Sequence, residues 1–343
     1  MSDGKKWTLK SIAAELGVSN ATVSNAFNRP DQLSEKKRNQ ILEACARLGY
    51  YGPNKAAQSL RKGKFNIVAM VLPDSVEYMV SDPVASDFMK GVSSVLEKSE
   101  TNILLFSGSA NSINSVEDFV DGFICYGQPR NEALIEQLRL TKKKVVTVDF
   151  DIERNASINI DNVSAARDIA DIALKNESDE VAILGLRLVD SKYTCRVYDG
   201  PDIDVNSSIA HKRLQGYFEG LKNAKVNIGN DRVWSIPESN AHYADIAVME
   251  ALSSSPRPNV LLCMSDLIAI SALNYANRQG IKVPEELRVV GFDGIDEASR
   301  TVPSLTTIHQ NSVQKGKLAA EMYLSDSRHG VLCEYQVQRG ESA

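Results

Sequence analysis

Acidic side chains recur at one kind of position in this 343-residue sequence, directly after short apolar runs. Asp74 and Ser75 follow "NIVAMVLP", Asp149 follows "KKVVTV", Asp161 follows "INI", Asp266 follows "VLLCMS", and Asp293 follows "VVGF". Arg213 opens the stretch "RLQGYFEGL". An ionised carboxylate only accepts hydrogen bonds and a guanidinium only donates them, so this set suits a ligand rich in hydroxyl groups. Each Asp has a plainer use as the cap of the next helix, and Asp161 serves either reading. Arg213 and Asp293 have a cap or a surface pair as the lesser alternative. Catalysis finds no comparable foothold. The sequence holds no Gly-x-Ser-x-Gly, Walker or Gly-x-Gly-x-x-Gly pattern. Cys45, Cys125, Cys195, Cys263 and Cys333 form no C-x-x-C pair, and the four histidines are widely spaced. That usage fits a reducing cytosol and argues against a metal centre or a disulfide framework. The chain reads as a binder without cofactor or metal, not as an enzyme.

A second group of polar side chains lies near the N-terminus. Thr8 can cap a helix from Leu9 to Leu16 that places Leu9, Ile12, Ala13 and Leu16 on one face, and Gly17 ends it. Ser19 can cap a second helix, from Asn20 to about Asn28, with Val23, Ala26 and Phe27 on its apolar side. Ser34 can cap a third, with Ile41, Cys45 and Leu48 at i, i+4 and i+7. Helix, glycine-containing turn, helix is the helix-turn-helix pattern, whose second helix offers its first residues to base edges in the major groove. Here those residues are Asn20, Ala21 and, one turn on, Asn25. Thr22, Ser24 and Asn28 flank them, where hydroxyls and amides bond phosphate oxygens. A small three-helix bundle that binds protein shares this spacing. Charge favours the first reading. Residues 1–64 carry 12 Lys and Arg against 5 Asp and Glu, a net of +7, which leaves −12 on the other 279 residues of a chain whose formal charge is −5. A basic head on an acidic body suggests a polyanionic partner for the head.

The elements that must hold these groups follow from the apolar pattern. At roughly 100–200 residues per domain, the chain should hold two or three folded units. From Asn66 onward, runs such as "VDGFICYG" and "EVAILGLR" alternate with helical stretches, including Asp87–Ser99 and Lys212–Ala224. Short apolar runs of this kind suit strands buried on both faces of a parallel sheet. Alternation with helices means α/β architecture, and its extent implies two lobes. Ligands of such lobes sit at the carboxyl ends of the strands, where the acidic residues fall. Between head and body, Pro53 and Gly63 bracket about two turns of helix, too short to be stable alone in water. The longest apolar run, Ile67 to Leu72, is about six residues, far from the ~20 of a membrane helix. No secretory signal is expected either.

The head is also recognisable. "TLKSIAAELGVSNATVSNAFN", Thr8 to Asn28, resembles the opening of the lactose/galactose-repressor (LacI/GalR) family. "LGYYGPNKAAQSL", "IDNVSAA", "RLQGYFEGL", "VPEELRVVGFDGIDEA", "PSLTTIHQ" and the closing "EYQVQRGES" extend the likeness over essentially the whole chain. The resemblance implies an all-α helix-turn-helix head on an α/β, two-lobed, type I periplasmic-binding-protein-like body. It places Asn20, Ala21 and Asn25 at bases, and Thr8, Ser19, Thr22, Ser24, Asn28 and Tyr50 at phosphates. Asn54, in the hinge, is expected to bind DNA, and Leu60 falls where a leucine wedges into a minor-groove base step. Leu60 could instead pack on the body. Arg213, Asp266 and Asp293 fall on effector-contacting positions, joined by Asp149, Trp234 and Gln310. Trp234 could also be plain core. Two departures stand out. Asn25 replaces the Arg of the sugar-operon members, and "SVEYMVSDPVASDFMKG" replaces the commoner Asn-Pro-Phe-Phe entry to the first body helix.

The expected domains are 1–52 for the head, 53–64 for the hinge and 65–343 for the body. Within the body, the N-lobe covers about 65–162 plus 295–326 and the C-lobe about 163–294 plus 327–343. The expected protein is a cytoplasmic, homodimeric repressor of a near-palindromic operator, controlled by a small carbohydrate-like effector. Control by a protein partner, a nucleoside or another metabolite, or activation instead of repression, remain as alternatives. The basic head and the missing signal peptide speak against a periplasmic sugar carrier.

Overall fold

The N-terminal helices begin where the sequence supplies a side-chain acceptor. At α1 (Leu9–Glu15), the Thr8 hydroxyl accepts from the Ser11 amide and the Ser11 hydroxyl accepts from the Thr8 amide, a reciprocal cap. Ser19 caps α2 (Asn20–Asn28) and Ser34 caps α3 (Glu35–Arg47). Gly17 turns the chain between α1 and α2 at φ 60°, a conformation that costs glycine little. Ile12, Ala13, Val23, Ala26, Ile41, Cys45 and Tyr50 form the core beneath the three helices.

The computed structural model describes residues 7–52, 63–198, 208–229, 231–325 and 327–343. Asn54 and Leu60 therefore lie outside the described residues. The chain divides into two units, Met1–Phe65 and Asn66–Ala343.

In the second unit the apolar runs become strands. These are β1 (Ile67–Val71), β2 (Asn102–Phe106), β3 (Gly122–Tyr126), β4 (Lys144–Val148) and β5 (Ala156–Ile160), then β6 (Val181–Gly185), β7 (Cys195–Arg196), β8 (Val233–Ser235), β9 (Val260–Cys263) and β10 (Arg288–Val290). Three short strands close the chain: β11 (Thr307–His309), β12 (Gly330–Cys333) and β13 (Gln336–Gln338). One sheet has the order β12-β5-β4-β3-β1-β2 and is parallel throughout. The other has the order β10-β9-β6-β8-β7, with β7 antiparallel at its edge. Helices α4 (Val76–Ser81), α5 (Pro83–Leu96), α6 (Asn114–Glu117) and α7 (Glu132–Leu140) lie between the strands of the first sheet. Helices α8 (Asn162–Ala173), α9 (Ile209–Asn223), α10 (Ala241–Leu252) and α11 (Asp266–Gln279) do so for the second, and α12 (Ser312–Leu324) follows β11. No described helix is long and apolar enough to cross a membrane.

The lobe boundaries expected from sequence need two corrections at the C-terminal end. β12 hydrogen-bonds along the free edge of β5, so Gly330–Cys333 belong to the first lobe. Residues 295–309 belong with the second lobe. Leu305 and Ile308 are buried, the Gly291 amide donates to the Thr306 carbonyl, and β11 pairs with β13. The signals were weak because each piece is only three or four residues long and β12 is partly exposed. In the first lobe α5 and α12 cross at glycines. A Cβ on Gly91 would meet the Val313 carbonyl oxygen at 2.1 Å, and one on Gly316 would meet that of Phe88 at 2.2 Å.

Candidate functional site

In the head, α2 turns Val23 and Ala26 inward, which leaves Asn20, Ala21 and Asn28 exposed and Thr22, Ser24 and Asn25 half-buried. The Ser19 and Thr22 hydroxyls lie 2.8 Å apart, and the Asn28 amide donates to Ser24 at 3.4 Å. Thr8 and Ser19 are exposed at the helix starts. Tyr50, expected at a phosphate, is instead in the core. It is 7% exposed, its ring packs edge-on against Phe27 at 5.8 Å, and its hydroxyl is buried.

In the body, a cavity of about 300 Å³ is walled by both lobes. That is the lower end of the size range for small-molecule sites. Loops after β1, β3 and β4 bring Asp74, Gln128, Arg130 and Asp149, and α4 with the start of α5 brings Tyr78, Met79, Asp82 and Val84. From the second lobe come Arg187, Ser239, Ser265 and Asp293, with Ser208 and Arg213 at the start of α9.

A chain of charged contacts runs along one wall. Lys315 on α12 is fully buried and donates to both Asp149 oxygens, at 3.0 and 2.7 Å, and to the Gln310 Oε1 at 2.8 Å. Gln310 in turn donates to Asp293 at 2.8 Å. Arg213 reaches Asp293 at 3.4 Å, Asn162 at 3.1 Å and the Met264 carbonyl at 2.6 Å, and lies 3.6 Å over the Phe292 ring. Asp149 and Asp293 both sit on left-handed backbone, at φ 63° and 125°. Such strain concentrates where a side chain must be aimed. Burial pushes the Asp293 carboxyl well above the usual range; Asp266 and Asp82 add to this, against Arg213 and Lys315. Burial likewise raises Asp82 and the Tyr78 hydroxyl. The Tyr78 oxygen accepts from the Ser239 amide at 2.8 Å, joining the two lobes across the cavity.

The structure thus brings Asp74, Asp149, Arg213, Asp293 and Gln310 together and sets the other expected residues apart. Ser75 and Asp161 are helix caps for α4 and α8 and do not line the cavity. Trp234 is wholly buried, with its indole N–H on Glu250 at 3.1 Å and Arg196 over its ring, so it is core. Asp266 is also off the cavity wall. Its Oδ2 accepts from the Gly294 and Ile295 amides at 2.7 and 2.9 Å, and its Oδ1 accepts from the Thr307 hydroxyl at 2.5 Å. Asp266 therefore positions the loop that carries Asp293. Sequence reasoning missed Lys315, Tyr78, Asp82, Arg130 and Arg187. Tyr78 and Asp82 were within reach, because they fall in the segment that departs from the family pattern. Among the described residues, no group of His, Cys, Asp or Glu could hold a metal ion.

Burial raises Asp266 to about 6, against its hydrogen bonds and Arg213. A carboxyl that holds its proton more tightly when folded adds stability below its unfolded value of 3.8 and loses it as pH climbs through about 6. Asp266→Asn keeps an acceptor for the two amides and turns its NH2 toward Thr307. In urea melts between pH 4 and 7, the stability of the unaltered protein relative to this variant should fall by roughly 2 kcal/mol. A difference that stays constant over that range refutes the assignment.

Comparison with known proteins agrees with this architecture. Residues 8–54 match the family model for bacterial regulatory proteins of the lacI family, and residues 187–332 match the periplasmic binding protein-like domain. The chain is 34% identical over 355 residues to an HTH-type transcriptional regulator of Mycobacterium tuberculosis, covering 99% of this chain and 97% of that one. It is 27% identical to the HTH-type transcriptional repressor CytR of Escherichia coli, covering 94% of this chain and 90% of that one. In fold it is similar to the lac repressor dimer bound to operator and an anti-inducer, with a TM-score of 0.73, 22% identity, and 98% and 99% of the two chains covered. The relatives are regulators, not enzymes, and the chain belongs to the LacI family of DNA-binding transcriptional regulators.

Proposed function

We propose that this regulator is a homodimeric, cytoplasmic repressor whose hold on a near-palindromic operator is set by a small carbohydrate-like effector in the body cleft. The observation that carries the reading is the wall formed by Asp149, Lys315, Gln310, Asp293 and Arg213. Carboxylates and a guanidinium held rigid by their own partners offer acceptors and donors to sugar hydroxyls without further ordering cost. Effector binding and operator binding are coupled, typically by about 1–3 kcal/mol. Each head reads one half-site with Asn20, Ala21 and Asn25, while Thr8, Ser19, Thr22, Ser24 and Asn28 hold phosphates.

The test is a thermal-shift screen of the full chain against pentoses, hexoses and nucleosides, followed by operator titration with any hit. A ligand that raises stability should also change operator affinity. No shift from any of these compounds, together with capture of a protein by the body, overturns the carbohydrate reading.

At Asn25 the expected base is adenine, because an amide forks onto N6 and N7, whereas Arg forks onto guanine O6 and N7. Asn25→Arg should move one half-site position toward guanine by about 1–3 kcal/mol. Binding selection that returns identical preferences for both proteins refutes this.

A further inference from the structure

We infer that the effector carries one anionic group, a carboxylate or a phosphate ester, seated against Arg130 and Arg187 beside its hydroxyls. The inference rests on the reading of the cleft as the effector site.

The charged groups on the cavity wall sort into two sets. The ion pairs Lys315–Asp149 and Arg213–Asp293 make the first set, to which Asp82 on the same cavity wall adds a carboxylate. It holds three carboxylates and two cations. Asp82, whose Oδ1 accepts from the Ala85 amide, has no ion-pair partner among the described residues. The carboxylates of this set accept hydrogen bonds from hydroxyls. The second set is Asp74, Arg130 and Arg187, one carboxylate for two guanidiniums.

Asp74 cannot serve both cations well. Its Oδ1 is taken by the Ser75 amide at 2.6 Å and faces the Ser109 hydroxyl at 3.4 Å. Its Oδ2 contacts Arg130 closely and lies 3.9 Å from Arg187. The strong partner of Arg187 is a neutral one, the Pro237 carbonyl at 2.8 Å. Its Nε is buried and has no partner among the described residues. One guanidinium charge at the cavity wall is thus without a full counter-charge, and buried or half-buried charge normally has one. Guanidinium groups bind carboxylate and phosphate through paired N–H donors, which a neutral sugar cannot match. Arg130 follows β3 in the first lobe and Arg187 follows β6 in the second. An anion between them is held from both sides and favours the closed cleft.

Calorimetry on the full chain tests this with two matched series: glucose, gluconate and glucose 6-phosphate; and ribose, ribonate and ribose 5-phosphate. Inorganic phosphate alone is the control. At least one acidic member should bind about tenfold or more tighter than its neutral parent, and which acid wins separates carboxylate from phosphate. Arg187→Gln and Arg130→Gln should each cut that ratio to below about threefold, in proteins whose melts confirm folding. Neutral parents that bind as tightly as both acids overturn the inference and leave the cleft reading intact. An acid preference that survives both substitutions also overturns it. Inorganic phosphate as tight as the sugar phosphates overturns the joint recognition of hydroxyls and anion. No binding by any member removes the cleft reading together with this inference.

Discussion

Lys315→Met is expected to cost the body about 3–5 kcal/mol of unfolding free energy. The ammonium is fully buried, and all three of its donors are used, two on Asp149 and one on Gln310. Methionine fills a similar volume and spares the protein the desolvation of the cation. Against that gain, the exchange strands Asp149, whose side chain is only 7% exposed and whose backbone is already left-handed. Loss of one partner from a buried pair exceeds the gain, because the remaining charge has lost its counter-ion and keeps little water. Gln310 also loses its anchor, and with it the donor that holds Asp293. Urea unfolding of the full chain measures the loss. Adding Asp149→Asn to Lys315→Met should recover most of it. A single variant within about 1 kcal/mol of the unaltered protein would show that the carboxylate finds other solvation.

Gly91→Ala is expected to cost roughly 3 kcal/mol, although alanine is the better helix former by about 1 kcal/mol. Sterics decide the sign. The new methyl would stand 2.1 Å from the Val313 carbonyl oxygen and 3.0 Å from the Lys317 amide nitrogen, and backbone atoms cannot swing aside as a side chain can. α5 and α12 must therefore part. Because α12 carries Lys315, the separation reaches the cleft as well as the core. Urea melts and effector titration of the same variant should show both losses. Stability equal to or above that of the unaltered protein would refute the close crossing.

Much of the fold was legible in the residues. Caps at Thr8, Ser19 and Ser34 fixed the head, and apolar runs such as "NIVAMVLPD" and "KKVVTVDFD" became β1 and β4 at the expected places. The site was legible in part, for a physical reason. An Asp after a strand can face the cleft or cap a helix, and sequence does not say which. Asp74, Asp149 and Asp293 took the first course, Asp161 the second, and Asp266 turned back to hold its own lobe. Lys315 was invisible, because a lysine within a helix is ordinarily solvated and only tertiary packing buries it. Trp234 and Tyr50 failed in the opposite sense: large aromatic rings follow the core before they follow a ligand or a phosphate.

The Tyr78–Ser239 hydrogen bond has a consequence for how far the two lobes part. A phenol that spans the gap favours the arrangement in which the two lobes stay close, by about 0.5–1.5 kcal/mol, the net worth of one hydrogen bond. Through one side chain in its divergent segment, the body carries a link of its own between the two walls of the cavity.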